Sequence, residues 1–173
     1  MYESFPRTLQ AGDPALDFDL PALQGGSISS LTFRQNSLLL LFLFKTCCPV
    51  CKYTAPYIQK LYAQYGVNSG GKFTVIGISQ DDIELTEMFA ANNGGLSFPI
   101  ALDSDLDVSW RYGITHVPDL FLLGKEYLVL DAITGQFNAE GINNIARKAA
   151  EFTRTDFLQI VQREDGSSDI EPG

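Results

Sequence analysis

Apolar and polar positions fall in blocks along this chain, and the blocks change period. Residues 37–44 end in an unbroken run, Leu38-Leu-Leu-Leu-Phe-Leu-Phe44, which predicts a strand buried on both faces, as at the centre of a parallel sheet covered by helices. Residues 73–79 repeat the signal. Between the two runs, Ala55, Ile58, Leu61, Tyr62 and Tyr65 line one helical face, so the three segments predict a βαβ unit with parallel strands and a right-handed crossover. Asp81 or Asp82 can cap a following helix whose apolar surface comes from Ile83, Leu85, Met88 and Phe89, and the Asn-Asn-Gly-Gly stretch at 92–95 ends it. Residues 98–103 read as a short extended piece and 105–112 as a short helix. Residues 120–123 and 127–133, joined at 124–126, predict an antiparallel hairpin, and Ile142, Ile145, Ala146, Ala149 and Phe152 share the inner face of a closing helix. Ahead of all this, residues 12–20 can turn through 24–27 into residues 28–31 as a hairpin. The expected architecture is therefore α/β, a mixed central sheet flanked by helices and preceded by an N-terminal β-hairpin.

Phe157, Leu158, Ile160 and Val161 extend the apolar pattern past the closing helix, to pack on the domain or to pair with another subunit as a homodimer. Residues 164–173 are acidic, small and polar, the composition of a disordered tail, which leaves residues 1–163 as one domain. The length of 173 residues suits one domain with a sizeable core. A formal net charge of −9 argues against nucleic acid or an anionic membrane as partner. No span supplies the roughly 20 apolar residues that cross a bilayer, and residues 1–10 lack the apolar core of an export signal. A cytoplasmic location is the expectation.

The chemistry is concentrated where the first strand ends, in Lys45-Thr-Cys-Cys-Pro-Val-Cys-Lys52. Reactive groups at the carboxyl end of a central strand occupy a favoured position in open α/β sheets. Pro49 suits the first helical position, because its missing N–H would be unpaired there anyway, and this makes Cys48 the N-cap. A sulfur at that position faces free backbone N–H groups and the positive end of the helix dipole, surroundings that favour a thiolate. Cys48 is thus the expected nucleophile. Cys51 follows one turn later, about 5–6 Å away by helix geometry, within bridging range, and is the expected resolving partner. A Cys47–Cys48 bond would demand strained geometry across one peptide, and Cys47–Cys51 would need a residue that precedes the cap to point back toward the helix. A metal site is not expected: zinc needs about four ligands, and His116 is the lone histidine. The remaining alternative is three cysteines that merely pack.

These residues resemble the active site of the thioredoxin superfamily, with Pro56 matching the family's helix-kinking proline five residues after the second cysteine. Over residues 12–150 the chain is more similar to the redoxin branch, which groups thiol-disulfide oxidoreductases of the TlpA type with the AhpC/TSA peroxiredoxins. The resemblance implies that Val117-Pro118 is a cis peptide facing the dithiol, that Val117 and Pro118 form the substrate-binding edge, and that the family's hairpin glycine falls near Gly26. An X-Pro bond adopts cis at a cost of only about 0.5–1 kcal/mol. The resemblance also implies a thioredoxin-like fold with a central mixed sheet, and no cofactor beyond a redox-active disulfide. The partners it implies are a protein or small-molecule disulfide and a thiol electron donor.

The chain departs from the family pattern at several places. Cys47 stands where thioredoxins have tryptophan, and Phe42 where they have a buried aspartate, so proton transfer to and from Cys51 needs another route, through water or through His116. Pro49 and Val50 replace the intervening pair that helps set thioredoxin's potential. Lys45 and Phe44 stand three residues before Cys48 and Cys47, where a peroxidatic cysteine is preceded by threonine. Lys45 and Lys52 flank the cysteines as surface cations. Trp110, the lone tryptophan, reads as a packing residue. The function expected is a thiol-disulfide oxidoreductase acting through Cys48 and Cys51; the alternatives are a peroxiredoxin-like thiol peroxidase, in which Cys48 or Cys47 is oxidised by peroxide, and a non-catalytic binding module.

Overall fold

The structure, a computed structural model, describes residues 6–33 and 37–162. Strand β3 (Leu38–Phe44) is its axis, with all seven residues buried. It pairs in parallel with β4 (Phe73–Ser79) on one side and antiparallel with β6 (Asp119–Leu123) on the other. β5 (Ile100–Leu102) and β7 (Val129–Thr134) complete a five-stranded mixed sheet in the order β5-β4-β3-β6-β7. Because side chains alternate along a strand, Leu38, Leu40, Phe42 and Phe44 enter one core and Leu39, Leu41 and Leu43 the other. The first core is closed by α2 (Pro49–Leu61) and α5 (Ala139–Thr153). The second is closed by α4 (Asp107–Arg111), Tyr112 and the N-terminal segment through Ala15 and Phe18. Each fully buried Leu or Phe contributes about 1.5–3 kcal/mol, so the doubly covered strand anchors whatever lies at its end.

The N-terminal hairpin pairs β1 (Asp19–Pro21) with β2 (Ser27–Ser29) around Gly25 and Gly26, both at positive φ. It is shorter than the sequence predicts, because Ser30 and Leu31 open a four-residue helix, α1 (Ser30–Phe33). Tyr65 is buried as expected, but it reaches the core through a π-helical turn, Tyr62–Gly66, whose wider bond runs from Val67 N–H to the Tyr62 carbonyl at 3.1 Å. The helix at 105–112 begins late, at Asp107. Leu106 takes a left-handed conformation, and the buried Asp103 carboxylate accepts from Val108 N–H, Ser109 N–H and the Ser109 hydroxyl.

Helix α3 (Ile83–Asn92) forms where the sequence places it. Asp82, not Asp81, caps it, accepting from Leu85 N–H at 2.9 Å. Of the four residues that supply its apolar surface only Phe89 is buried, while Ile83, Leu85 and Met88 are 49%, 46% and 60% exposed. The helix seats on the sheet end through Thr86, hydrogen-bonded to Ser79 at 2.7 Å, and through Phe89, stacked on Phe44; residues to either side of that stripe face outward.

Residues 155–162 pack on the domain, the first of the two roles open to this segment. Asn143 on α5 accepts from Ile160 and Val161 N–H and donates to the Val161 carbonyl, and both side chains join the first core. Phe157 lies under the Arg147 guanidinium. The acidic stretch at 164–173 lies outside the described residues. No helix among those described is long and apolar enough to cross a membrane.

Candidate active site

The site forms where β3 stops. Past Phe44 the chain turns through Lys45, Thr46 and Cys47 before α2 begins, and Asp81 holds the turn by accepting from both Thr46 N–H, at 2.7 Å, and the Thr46 hydroxyl, at 2.8 Å. Asp81 therefore fixes the approach to the cysteines instead of capping α3. Pro49 occupies the first turn of α2, and Cys48 is its N-cap, with φ −84° and ψ 116° and its Sγ accepting from Cys51 N–H at 3.1 Å. The half-buried Cys48 packs at the edge of the first core, whereas Cys51 is buried within it. Burial pushes the Cys51 thiol up, reinforced by its hydrogen bond with the Cys48 sulfur and opposed by the Lys45 backbone, with lesser upward pushes from the Cys48 and Asp119 charges.

Val117-Pro118 is cis, as the resemblance implied. The Cys48 thiol donates to the Val117 carbonyl at 3.7 Å, which brings the residue before Pro118 against the dithiol. Gly135 backs this corner, its N–H shared between the Pro118 carbonyl at 2.9 Å and Asp119 Oδ1 at 2.7 Å.

The structure sorts the remaining candidates. Cys47 is exposed on the turn, outside the Cys48–Cys51 contact. Val50 packs on the core, and Pro49, Lys45 and Lys52 are exposed. His116 is exposed, with Nδ1 hydrogen-bonded to the Thr115 hydroxyl at 3.0 Å. Trp110 is 42% exposed and is not a core residue. Phe42, at the position of thioredoxin's buried aspartate, is fully buried in the first core against the rings of Phe44 and Phe98. The carboxylate whose charge reaches Cys51 is Asp119, which sequence reasoning passed over. It is 1% exposed, and burial holds its carboxyl up to about 7 despite the opposing Gly135 N–H. Register pairs Asp119 with Leu43, and residues paired across a sheet share a face, so Asp119 sits on the side away from Cys51 and acts on it through charge. The available signal was a lone acid heading an otherwise apolar strand.

One measurement follows from burial alone. In the reduced protein at pH 7, iodoacetamide should label Cys48 at least about tenfold faster than Cys51, since each unit of raised pKa removes tenfold of the reactive thiolate. Equal rates, read by peptide mass mapping over a time course, would mean that Cys51 is not enclosed as described.

This arrangement matches a family model. Residues 11–132 fit the AhpC/TSA family. The chain belongs to the AhpC/TSA family. Its relatives include a thiol-disulfide oxidoreductase ResA of Halalkalibacterium halodurans, 32% identical over 126 residues that cover 73% of this chain and 69% of the relative. A ResA of Bacillus thuringiensis is 26% identical over 151 residues, 86% of this chain and 85% of the relative. Among solved structures, the thioredoxin domain of a thiol-disulfide oxidoreductase from Bacteroides vulgatus superposes with a TM-score of 0.70 at 22% identity, covering 82% of this chain and 98% of that one; at this identity it speaks for the thioredoxin-like fold. In this AhpC/TSA protein, no group of three or more His, Cys, Asp or Glu side chains among the described residues could hold a metal ion.

Proposed function

We propose that this protein is a thiol-disulfide oxidoreductase in which Cys48 exchanges with a substrate disulfide and Cys51 resolves the product. The observation that carries the reading is the Cys48 sulfur, held between the Cys51 N–H and the Val117 carbonyl at the mouth of the site, with Cys51 buried behind it. In the reducing direction the Cys48 thiolate attacks one sulfur of the substrate disulfide. The S–S bond breaks, a mixed disulfide forms, and the first substrate thiolate leaves and takes up a proton. Cys51 then gives up its proton and attacks the Cys48 sulfur, releasing the second substrate thiol. Two electrons pass to the substrate and the protein is left with a Cys48–Cys51 disulfide. A thiol donor resets it.

Burial opposes ionisation of Cys51, so the resolving step requires removal of a proton that the thiol holds more tightly than usual. Val117, beside the cis bond, offers a main-chain edge along which an extended polypeptide could pair. Names carried by the relatives, thiol-disulfide oxidoreductase ResA, support protein or small thiol and disulfide partners. Lys45 three residues before Cys48 disfavours the peroxidase alternative.

A trapping experiment tests the proposal. Cys51→Ser should accumulate mixed disulfides with protein partners, and Cys48→Ser should capture almost none, because only Cys51 can release what Cys48 holds. Wild-type protein should also reduce insulin with dithiothreitol. Rapid, saturable peroxide consumption with no insulin reduction would assign the protein to the peroxidases instead.

A further inference from the structure

Three large apolar side chains on one ten-residue helix face outward on α3, and two of them line a hollow that also takes in Thr46 and Lys52, residues on either side of the cysteines in the chain. Leu85, Met88, Phe89, Asn92 and Asn93 line one wall, at the spacing of a single helical stripe, and Thr46 and Lys52 line the other. The hollow holds about 320 Å³, at the low end for a ligand pocket and suited to one bulky side chain. Its base is tied to the reactive turn twice over. Phe89 stacks at 4.7 Å on Phe44, the last residue of β3, and Thr46, two residues before Cys48, is fixed by Asp81. Lys52 follows Cys51 directly and puts an exposed cation at the rim. Thr46 and Lys52 thus join the wall of this hollow to the turn and helix that carry Cys48 and Cys51.

We propose that the hollow between α2 and α3 is the specificity surface of the site, and that it takes a polypeptide disulfide with an apolar side chain a few residues from its cysteine and an acidic residue next to that side chain. Leu85, Met88 and Phe89 receive the apolar group, and Lys52 pairs with the acid. The proposal rests on the oxidoreductase reading above. The exposed apolar surface explains why α3 keeps residues its own packing does not use, and the cation selects among partners more than it adds affinity.

The test compares three substrates: a synthetic peptide disulfide carrying Leu-Glu beside its cysteine, the same peptide with Ser-Lys there, and 2-hydroxyethyl disulfide, which has no side chains to dock. Wild-type protein should reduce the Leu-Glu peptide at least about tenfold faster than the Ser-Lys peptide, since loss of one buried apolar group and one charge match costs about 1.4 kcal/mol or more. In the double variant Leu85→Ser, Met88→Ser the Leu-Glu advantage should fall to within about twofold, and Lys52→Glu, which removes the charge match, should also reduce it. Far-ultraviolet circular dichroism checks that the variants keep the fold, as substitutions at exposed positions should. Equal rates for the two peptides with wild-type protein, or an advantage that survives the double substitution, would overturn the docking surface while leaving the exchange chemistry intact. Failure of wild-type protein to reduce any of the three would remove the oxidoreductase reading and this proposal with it.

Discussion

Asp119→Asn should stabilise the protein by roughly 3 kcal/mol at pH 8 and by much less near pH 4. The folded carboxyl titrates at about 7 against an ordinary value of 3.8, with burial as the main cause. Between those values the folded state keeps a proton that the unfolded chain has released, so wild-type stability falls as pH rises from about 4 to about 7 and the cost is fully present above. At about 1.4 kcal/mol per unit the shift amounts to roughly 4 kcal/mol. An amide of the same shape can still accept from Gly135 N–H, but its two N–H donors lose water on burial, which returns about 1 kcal/mol. For a domain of this size the net gain corresponds to about 6–12 °C in melting temperature. Urea denaturation of both proteins at pH 4.5 and pH 8 measures the difference. A gap between wild type and variant that is the same at both pH values would show that the buried charge is not its source. Because the Asp119 charge also opposes ionisation of Cys51, the variant should resolve mixed disulfides no more slowly than wild type at pH 8.

The second large effect concerns Asn143→Ala. One side chain there accepts from two backbone N–H groups, at 2.9 and 3.0 Å, and donates to a third backbone group at 3.1 Å, and all three partners belong to the segment that closes the first core. With the amide gone, either those buried groups stay unsatisfied, at about 1–3 kcal/mol each, or residues 155–162 detach and expose Ile160 and Val161. Detachment sets the ceiling, and the expected loss is about 3 kcal/mol. Limited trypsin digestion reports it directly: Arg154, at the carboxyl end of α5, should become a rapid cleavage site in the variant. Unchanged cleavage together with an unchanged melting temperature would mean that the segment is held by its apolar contacts alone.

Which parts of this protein were legible in its sequence follows from the range of the forces involved. The β3 run, the N-cap at Cys48 followed by Pro49, and the inward stripe of α5 rest on periodicity and capping, and these act over a few residues. They were sufficient to locate the dithiol, to rank Cys48 and Cys51 by exposure, and to mark out the βαβ unit and the hairpin that the fold joins in one mixed sheet. The cis geometry at Pro118 was legible only through family resemblance, since the local sequence permits either isomer.

What the sequence left open depends on partners far along the chain. Periodicity marked Leu85 and Met88 as apolar, but which side of α3 meets the sheet was decided by the Ser79–Thr86 hydrogen bond and by Phe89 stacking on Phe44. Asp81 read equally well as a cap until Thr46, 35 residues earlier, was seen to claim its carboxylate. The segment beyond α5 could have served a second subunit, and Asn143 fixed it to its own domain. Asp119 is the clearest case. Its sequence neighbours mark it only as an acid at the head of a strand. Desolvation by the surrounding fold, together with a single N–H from Gly135, decides its ionisation, and that environment exists only once β6, β7 and the end of β3 have come together.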